Sequence, residues 1–185
     1  ISPTATLRWL RDVYDNSVAV ASFDTPTTQL RILSEIIVHH YDEAPLDFLV
    51  SDHAVQYPFD YEAEQRTVLQ PYLEAPLPTD QAAVRNWLRG FWQPGQSVQT
   101  YTLLQSLCAG IHQSLRYQTR EEPGVQEAAQ TLQSGVGSCR DFALLFMSAA
   151  RVLGLAARFV SGYLHAPAPD GAPGATHAWA EVYLP

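Results

Sequence analysis

The side chain with the clearest chemical potential in this sequence is the thiol of Cys139. It follows Gly135, Gly137 and Ser138 and opens a strongly apolar segment, 139–153, that is predicted to be a helix capped by the serine. The N–H groups and the positive dipole end of a helix N-terminus favour a thiolate over a thiol. The two glycines allow a tight turn and a close approach by a substrate. The pattern therefore predicts a cysteine nucleophile, which still needs a base.

His177 is the histidine best placed to act as that base. It lies early in segment 176–184, where apolar and polar residues alternate as in a strand. A strand holds a base more rigidly than a loop does, and the preceding Pro/Gly-rich segment, 166–175, is predicted to be a mobile loop that can gate access. Spacing alone leaves an alternative open, in which Cys139 is a small core residue and His177 a hydrogen-bonded residue at a sheet edge.

The other thiol and the other histidines give weaker signals. Cys108 lies on the apolar face of a predicted helix, 100–115, so we assign it to packing, and His112 has no evident partner. Four residues of the first half have side chains that can bind a metal: His39, His40, Asp42 and His53. Adjacent histidines on a strand point to opposite faces, so one site cannot easily use both. We therefore expect no metal. The sequence also has no phosphate-binding glycine-rich loop, so we expect no cofactor.

The composition of the sequence limits the class of protein to which these residues can belong. The chain has 185 residues, 46% of them apolar, and a net charge of -8, which predicts a folded domain and disfavours nonspecific nucleic-acid binding. All 11 basic residues are arginine, which excludes lysine chemistry. Apolar runs fall short of the roughly 20 residues that span a membrane. The first residues do not resemble a signal peptide, so we expect a cytoplasmic protein.

The predicted elements divide the chain into two halves of different periodicity. The first half reads as strands, over 7–13, 18–23 and 30–38, with a turn at Asp15 and Asn16 between the first two. The second half reads as helices over 80–91, 100–115, 125–133 and 139–153, followed by strands over 156–164 and 176–184. A proline-containing segment, 74–78, has the composition of a linker. We therefore predict an α+β fold, with a β-rich region over 1–75 and a second domain over 76–185.

Three ordered segments of the second half resemble the bacterial transglutaminase-like superfamily. Residues 135–143 (GVGSCRDFA) resemble its nucleophile motif, 157–164 (ARFVSGYL) the strand after its active-site helix, and 176–185 (THAWAEVYLP) its histidine strand. Residues 1–75 are similar, more loosely, to the later part of the β-rich N-terminal region of many bacterial members. The resemblance implies a papain-like core with the nucleophile at a helix N-terminus, preceded by a partial β-sandwich.

The same resemblance implies a Cys–His–Asp triad in which Cys139 and His177 are the first two members. In relatives the aspartate lies on the strand after the histidine strand, so we expect it beyond Pro185 and promote no other acid in its place. Asp141, in the first turn of the predicted helix, complements the helix dipole and is expected to be structural. Glu181 lies about 13 Å from His177 along a strand, too far to orient its ring directly.

The chemistry implied is acyl transfer on amide or peptide bonds through a thioester on Cys139. The substrate would be a peptide or protein, and four residues are candidates to bind it: Tyr117, Ser138, Arg140 and Trp179. For three of them a structural role stays open, namely core packing for Tyr117 and Trp179 and an ion pair with a nearby acid for Arg140. We expect a cysteine peptidase or amidase. The alternatives are a catalytically silent protein-binding module and a protein-crosslinking transglutaminase.

An incomplete N-terminal sheet would also leave an edge strand unpaired. Such an edge can pair with another chain. We therefore expect a possible homodimer.

Overall fold

The structure is a computed structural model, and it describes residues 1–35, 37, 39, 41, 47–163 and 176–185. The chain divides into two compact units, Ile1–Asp47 and Phe48–Pro185. The proline-containing segment 74–78 lies within the second unit, between two of its helices, rather than at the division. Several features of the sequence lie outside the described residues: His40, Asp42, His165 and the predicted loop 166–175.

The first unit contains the predicted hairpin. Strand β1 (Thr6–Arg11) pairs antiparallel with β2 (Ser17–Ser22). The turn between them is held by Asp12, whose carboxylate accepts hydrogen bonds from the backbone N–H groups of Tyr14 at 2.8 Å and Asn16 at 2.9 Å. Asp15 adopts a φ of 62°, a conformation that aspartate tolerates better than most residues. The turn chemistry read from the sequence is confirmed.

The strand predicted over 30–38 is wrong for residues 30–35. Of these, only Arg31 pairs, through an isolated bridge to Ser2. The alternating side chains stay in solvent, with Ile32 67% and Leu33 72% exposed. Alternation shows that a segment can be a strand, but a strand forms only where a neighbour accepts its backbone hydrogen bonds. Ile36 and Val38 lie outside the described residues.

The second unit contains five α-helices, one short 3₁₀ helix (Asp52–Ala54) and three strand pairs among its described residues. The helices are α1 (Ala63–Leu73), α2 (Pro78–Leu88), α3 (Thr100–Ser114), α4 (Ala128–Ser134) and α5 (Cys139–Val152). The strand pairs are β3 (Gln56–Tyr57) with β4 (Val98–Gln99), β5 (Arg116–Tyr117) with β6 (Val136–Gly137), and β7 (Ala157–Tyr163) with β8 (Thr176–Val182). Helices α2 to α5 and strands β7 and β8 are confirmed within a few residues of their predicted bounds. No described helix is long and apolar enough to cross a membrane.

Helix α5 lies at the centre of this unit. Its Leu145 is fully buried with Val84 of α2 and Leu107 of α3, and the antiparallel pair β7–β8 packs along it. At its C-terminal end, the guanidinium group of Arg151 donates to the carbonyl oxygen of Ala157 at 2.8 and 3.0 Å, which ties the helix to the start of β7. Helices packed on an antiparallel strand pair confirm the α+β class. The helix that begins with Cys139 is therefore held along its whole length.

Candidate active site

Two short parallel strands position the turn that leads to Cys139. Strand β6 ends at Gly137, and its neighbour β5 ends at Tyr117. The backbone N–H of Gln118 donates to the carbonyl oxygen of Gly137 at 2.8 Å. The turn before β6 is made by Gly135, whose φ of 67° strains any residue with a Cβ. Cys139, the candidate nucleophile, therefore lies just after a strand that is held by its neighbour and at the start of a packed helix.

Gly137 is required for a different reason, which is close packing. A Cβ built on this residue would lie 2.8 Å from the ring of Phe142 and 3.1 Å from the Cβ of Asp141. Both of those residues belong to the first turn of α5. The glycine therefore lets the helix start pack directly against the strand that precedes it.

Asp141 ties this turn together from inside the protein. Its side chain is fully buried, and its Oδ2 accepts from the backbone N–H and the hydroxyl of Ser138, each at 2.8 Å. Its Oδ1 accepts from Nη1 of Arg120 at 2.7 Å and from the backbone N–H of Gln126 at 2.8 Å. One carboxylate thereby links the start of α5 to two segments that precede it in the chain.

The hydrogen bonds keep this buried carboxylate ionised. Burial alone would raise its pKa, but the donors from Gln126, Ser138 and Arg120 outweigh burial and lower the pKa of Asp141 to about 2. The negative charge also lies at the positive end of the α5 dipole, which favours it further. Asp141 has the structural role that the sequence predicted.

His177 lies on strand β8, opposite Gly162 of β7. The indole ring of Trp179 covers that glycine, since a Cβ there would lie 2.6 Å from the ring. Trp179 donates through Nε1 to Glu181 at 3.3 Å, and Glu181 forms an ion pair with Arg158 at 2.7 Å. The carboxylate of Glu181 is thus engaged by an arginine, in keeping with the expectation that it does not orient His177.

Cys139 and His177 line the same cavity, which has a volume of about 590 Å³. Its described walls come from α3, β5, α5 and β8: Cys108, Ile111, His112, Leu115, Tyr117, Cys139, Phe142, Ala143, Phe146, His177, Ala178, Trp179 and Ala180. The Cys139 thiol is free and half-buried. In the part of the chain that the structure describes, no hydrogen bond joins it to the imidazole. Catalytic contacts of this kind often tighten only when a substrate binds.

The four candidate substrate-binding residues separate into two pairs. Tyr117 and Trp179 line the cavity and are 58% and 39% exposed. Ser138 and Arg140 are not among its lining residues. Ser138 donates to Asp141, and Arg140 donates through Nη2 to the carbonyl oxygens of Arg120, at 3.1 Å, and Glu122. The guanidinium of Arg140 therefore holds backbone carbonyls, in place of the carboxylate that the sequence suggested.

Two cavity residues were not recognised from the sequence. Cys108, which we had assigned to core packing, is exposed and lies on the cavity wall beside His112. Both belong to the face of α3 that also carries Ile111, and Leu115 follows on the same face just beyond the helix. That spacing is visible in the sequence, but it does not say whether the face meets a solid core or an open cavity.

Comparison with known proteins agrees with this architecture. The family model of the transglutaminase-like superfamily matches residues 93–185. Uncharacterized proteins of Mycobacterium tuberculosis and Mycobacterium bovis are 30% identical over 185 residues, which cover 95% of this chain and 57% of the relative. The chain thus spans little more than half the length of these relatives.

A solved structure shares the fold. It is described as "a Putative Cysteine Protease from Cytophaga hutchinsonii", and it aligns with a TM-score of 0.51 and 23% identity over 68% of this chain and 40% of its own. The turn before Cys139 and strand β8, which carries His177, both lie in the region that the family model covers. The chain belongs to the transglutaminase-like superfamily.

Proposed function

We propose that this protein catalyses thiol-dependent acyl transfer on amide or peptide bonds and that it acts as a cysteine peptidase or amidase. The observation that carries the proposal is the shared cavity, which has a thiol at a helix N-terminus on one wall and a histidine from a strand on another. The positive end of a helix dipole stabilises negative charge that develops near it, which suits a sulfur that acts as a nucleophile. An imidazole within the same cavity can carry a proton to and from the reacting group.

The first half of the reaction forms a thioester. The Sγ of Cys139 attacks the carbonyl carbon, and the negative charge moves to the carbonyl oxygen. As the first residue of α5, Cys139 has a backbone N–H without an acceptor inside the helix, which can stabilise that oxygen. The imidazolium of His177 gives its proton to the amide nitrogen, the C–N bond breaks and the amine leaves.

The second half releases the acyl group. Water attacks the thioester carbon while the neutral imidazole of His177 takes a proton from it, the C–S bond breaks and the thiolate is restored. An amine in place of water would give transfer instead of hydrolysis. Tyr117 and Trp179 are both partly exposed where they line the cavity, so water can reach the thioester. This access favours hydrolysis over crosslinking.

A partition experiment tests the proposal. Cys108→Ser leaves Cys139 as the single thiol, and this variant of the full chain is given peptidyl substrates that release 7-amino-4-methylcoumarin, with and without hydroxylamine. We expect coumarin release that iodoacetamide abolishes, and hydroxamate formed at the expense of the free acid as hydroxylamine intercepts the thioester. Coumarin release that survives complete alkylation of Cys139 contradicts the proposal. Substrate binding without any release would indicate the silent binding module.

A further inference from the structure

We infer that the acyl group accepted by this site is large, apolar and uncharged, such as a leucyl, phenylalanyl or longer aliphatic acyl group. This inference rests on the proposed function, since it concerns the group that becomes attached to Cys139. It follows from the shape and the chemistry of the cavity wall beyond the thiol.

The cavity extends away from the nucleophile between two helix faces. Cys139, Phe142, Ala143 and Phe146 follow one another at helical spacing on α5 and all line the cavity. At a rise of about 1.5 Å per residue, the wall continues for about 10 Å past Cys139. The facing wall is the α3 face that bears Cys108 and Ile111. The volume of about 590 Å³ lies within the range of cavities that enclose small molecules.

The described residues of the wall include no acidic side chain and no arginine that could pair with a charged substituent. The polar side-chain groups of these residues are two thiols, two imidazoles, one phenol and one indole. A charged group loses its hydration on entering such a space, and apart from the reacting thiol and imidazole it finds no ionised side chain among the described residues of the wall to replace that hydration. An apolar group gains from the same transfer.

The acyl part of the substrate, rather than the amine, must occupy this space. After the C–N bond breaks, the amine is free to leave, whereas the acyl part stays bonded to the Sγ of Cys139 until water attacks. A wall that begins at Cys139 and runs along α5 therefore contacts the acyl part through both halves of the reaction. Its chemistry selects the acyl group.

Chloromethyl ketones that differ only in one side chain test this selection without turnover. Each alkylates the thiolate, forming an S–C bond as the C–Cl bond breaks and chloride leaves. In the Cys108→Ser chain, we would measure by intact mass the second-order rate of Cys139 labelling by the acetyl-leucyl, acetyl-phenylalanyl, acetyl-glutamyl and acetyl-lysyl reagents. Iodoacetamide, which has no side chain, reports the reactivity of the thiol itself. We expect the two apolar reagents to react at least about tenfold faster than the two charged ones.

A charge placed in the wall provides the matched variant. Cys108 is exposed on α3, so Cys108→Glu adds a carboxylate to the cavity with little effect on folding. Compared with Cys108→Ser, we expect Cys108→Glu to label more slowly with the leucyl reagent and faster with the lysyl reagent, so that their ratio falls about tenfold.

The outcomes separate the two claims. Equal rates for all four ketones, together with rapid iodoacetamide labelling, would overturn the apolar selection and leave the proposed function standing. A Cys139 that resists iodoacetamide as well would overturn the proposed function, and the selection with it. An unchanged leucyl-to-lysyl ratio in Cys108→Glu would contradict the placement of the acyl group along this wall.

Discussion

Cys139→Ala is expected to abolish coumarin release from peptidyl substrates, lowering kcat/KM by on the order of 10⁴-fold or more. The reason is that the substitution removes the atom that forms the thioester, and binding alone leaves only a small residual rate. The measurement is initial rate against substrate concentration, with the wild-type chain diluted to define the detection limit. A variant that keeps a tenth of the wild-type rate would show that another group carries the reaction.

The controls for this variant are folding and the second thiol. Alanine is a good helix former and is smaller than cysteine, so Cys139→Ala should keep the wild-type circular dichroism and unfold within about 1 kcal/mol of the parent. Cys108→Ala removes a thiol from the same cavity but no atom that changes its bonds, so we expect turnover to remain within about tenfold of wild type. Equal losses in the two variants would point to packing rather than nucleophilic catalysis.

Asp141→Asn is expected to lower the free energy of unfolding by about 3 kcal/mol at pH 7. The buried carboxylate of Asp141 accepts four hydrogen bonds, from Arg120, Gln126 and twice from Ser138. An amide has one oxygen, and its NH₂ group faces donors, so at least two of these donors lose their acceptor. Urea unfolding measures the loss. Asp60→Asn is the matched control, since Asp60 is 96% exposed and should change stability by about 0.5 kcal/mol or less.

The same substitution should remove part of the acid sensitivity of the protein. The pKa of Asp141 is about 2 in the folded chain against an ordinary value of 3.8, so its folded-state pKa is depressed. Its contribution of about 2 kcal/mol is therefore fully present above about pH 4 and is lost as the pH falls towards 2. We expect the stability difference between wild type and Asp141→Asn to shrink between pH 5 and about pH 2.5. A constant difference over that range would show that the carboxylate does not carry it.

The parts of this fold that could be predicted from the sequence are those with local signals. Helix α5 has a capping serine, a first-turn aspartate and a continuous apolar face, and its predicted start at Cys139 is the observed one. Strand β8 shows alternation that an adjacent strand, β7, can use. In both cases another element of the same unit packs against or pairs with the predicted one, so the local preference and the packing agree.

The missed features depend on distant parts of the chain. Helix α1 was not predicted because its segment of the sequence contains several prolines. Pro71 nevertheless lies within the helix, in its last turn. Leu69 of the helix packs on Ala156, near the start of β7. The segment predicted as a strand over 30–38 has the right alternation, but beyond the single bridge between Arg31 and Ser2 its described residues have no strand to pair with. Two of the three partners of Asp141, Gln126 and Arg120, are 15 and 21 residues away along the chain. Local patterns contain no information about contacts of this kind.

The measurement that tests the central claim most directly is the pH dependence of iodoacetamide labelling at Cys139, with Cys108 as an internal control read by peptide mass spectrometry. Both thiols line one cavity, but only Cys139 begins a helix, and Cys108 is the more exposed of the two, so faster labelling of Cys139 at low pH would not be due to greater access. If Cys139 and His177 form an activated pair, labelling of Cys139 persists well below pH 7, that of Cys108 does not, and His177→Ala removes the low-pH reactivity of Cys139. If labelling of both thiols instead rises together only near the ordinary cysteine pKa of about 8.5, the account is contradicted.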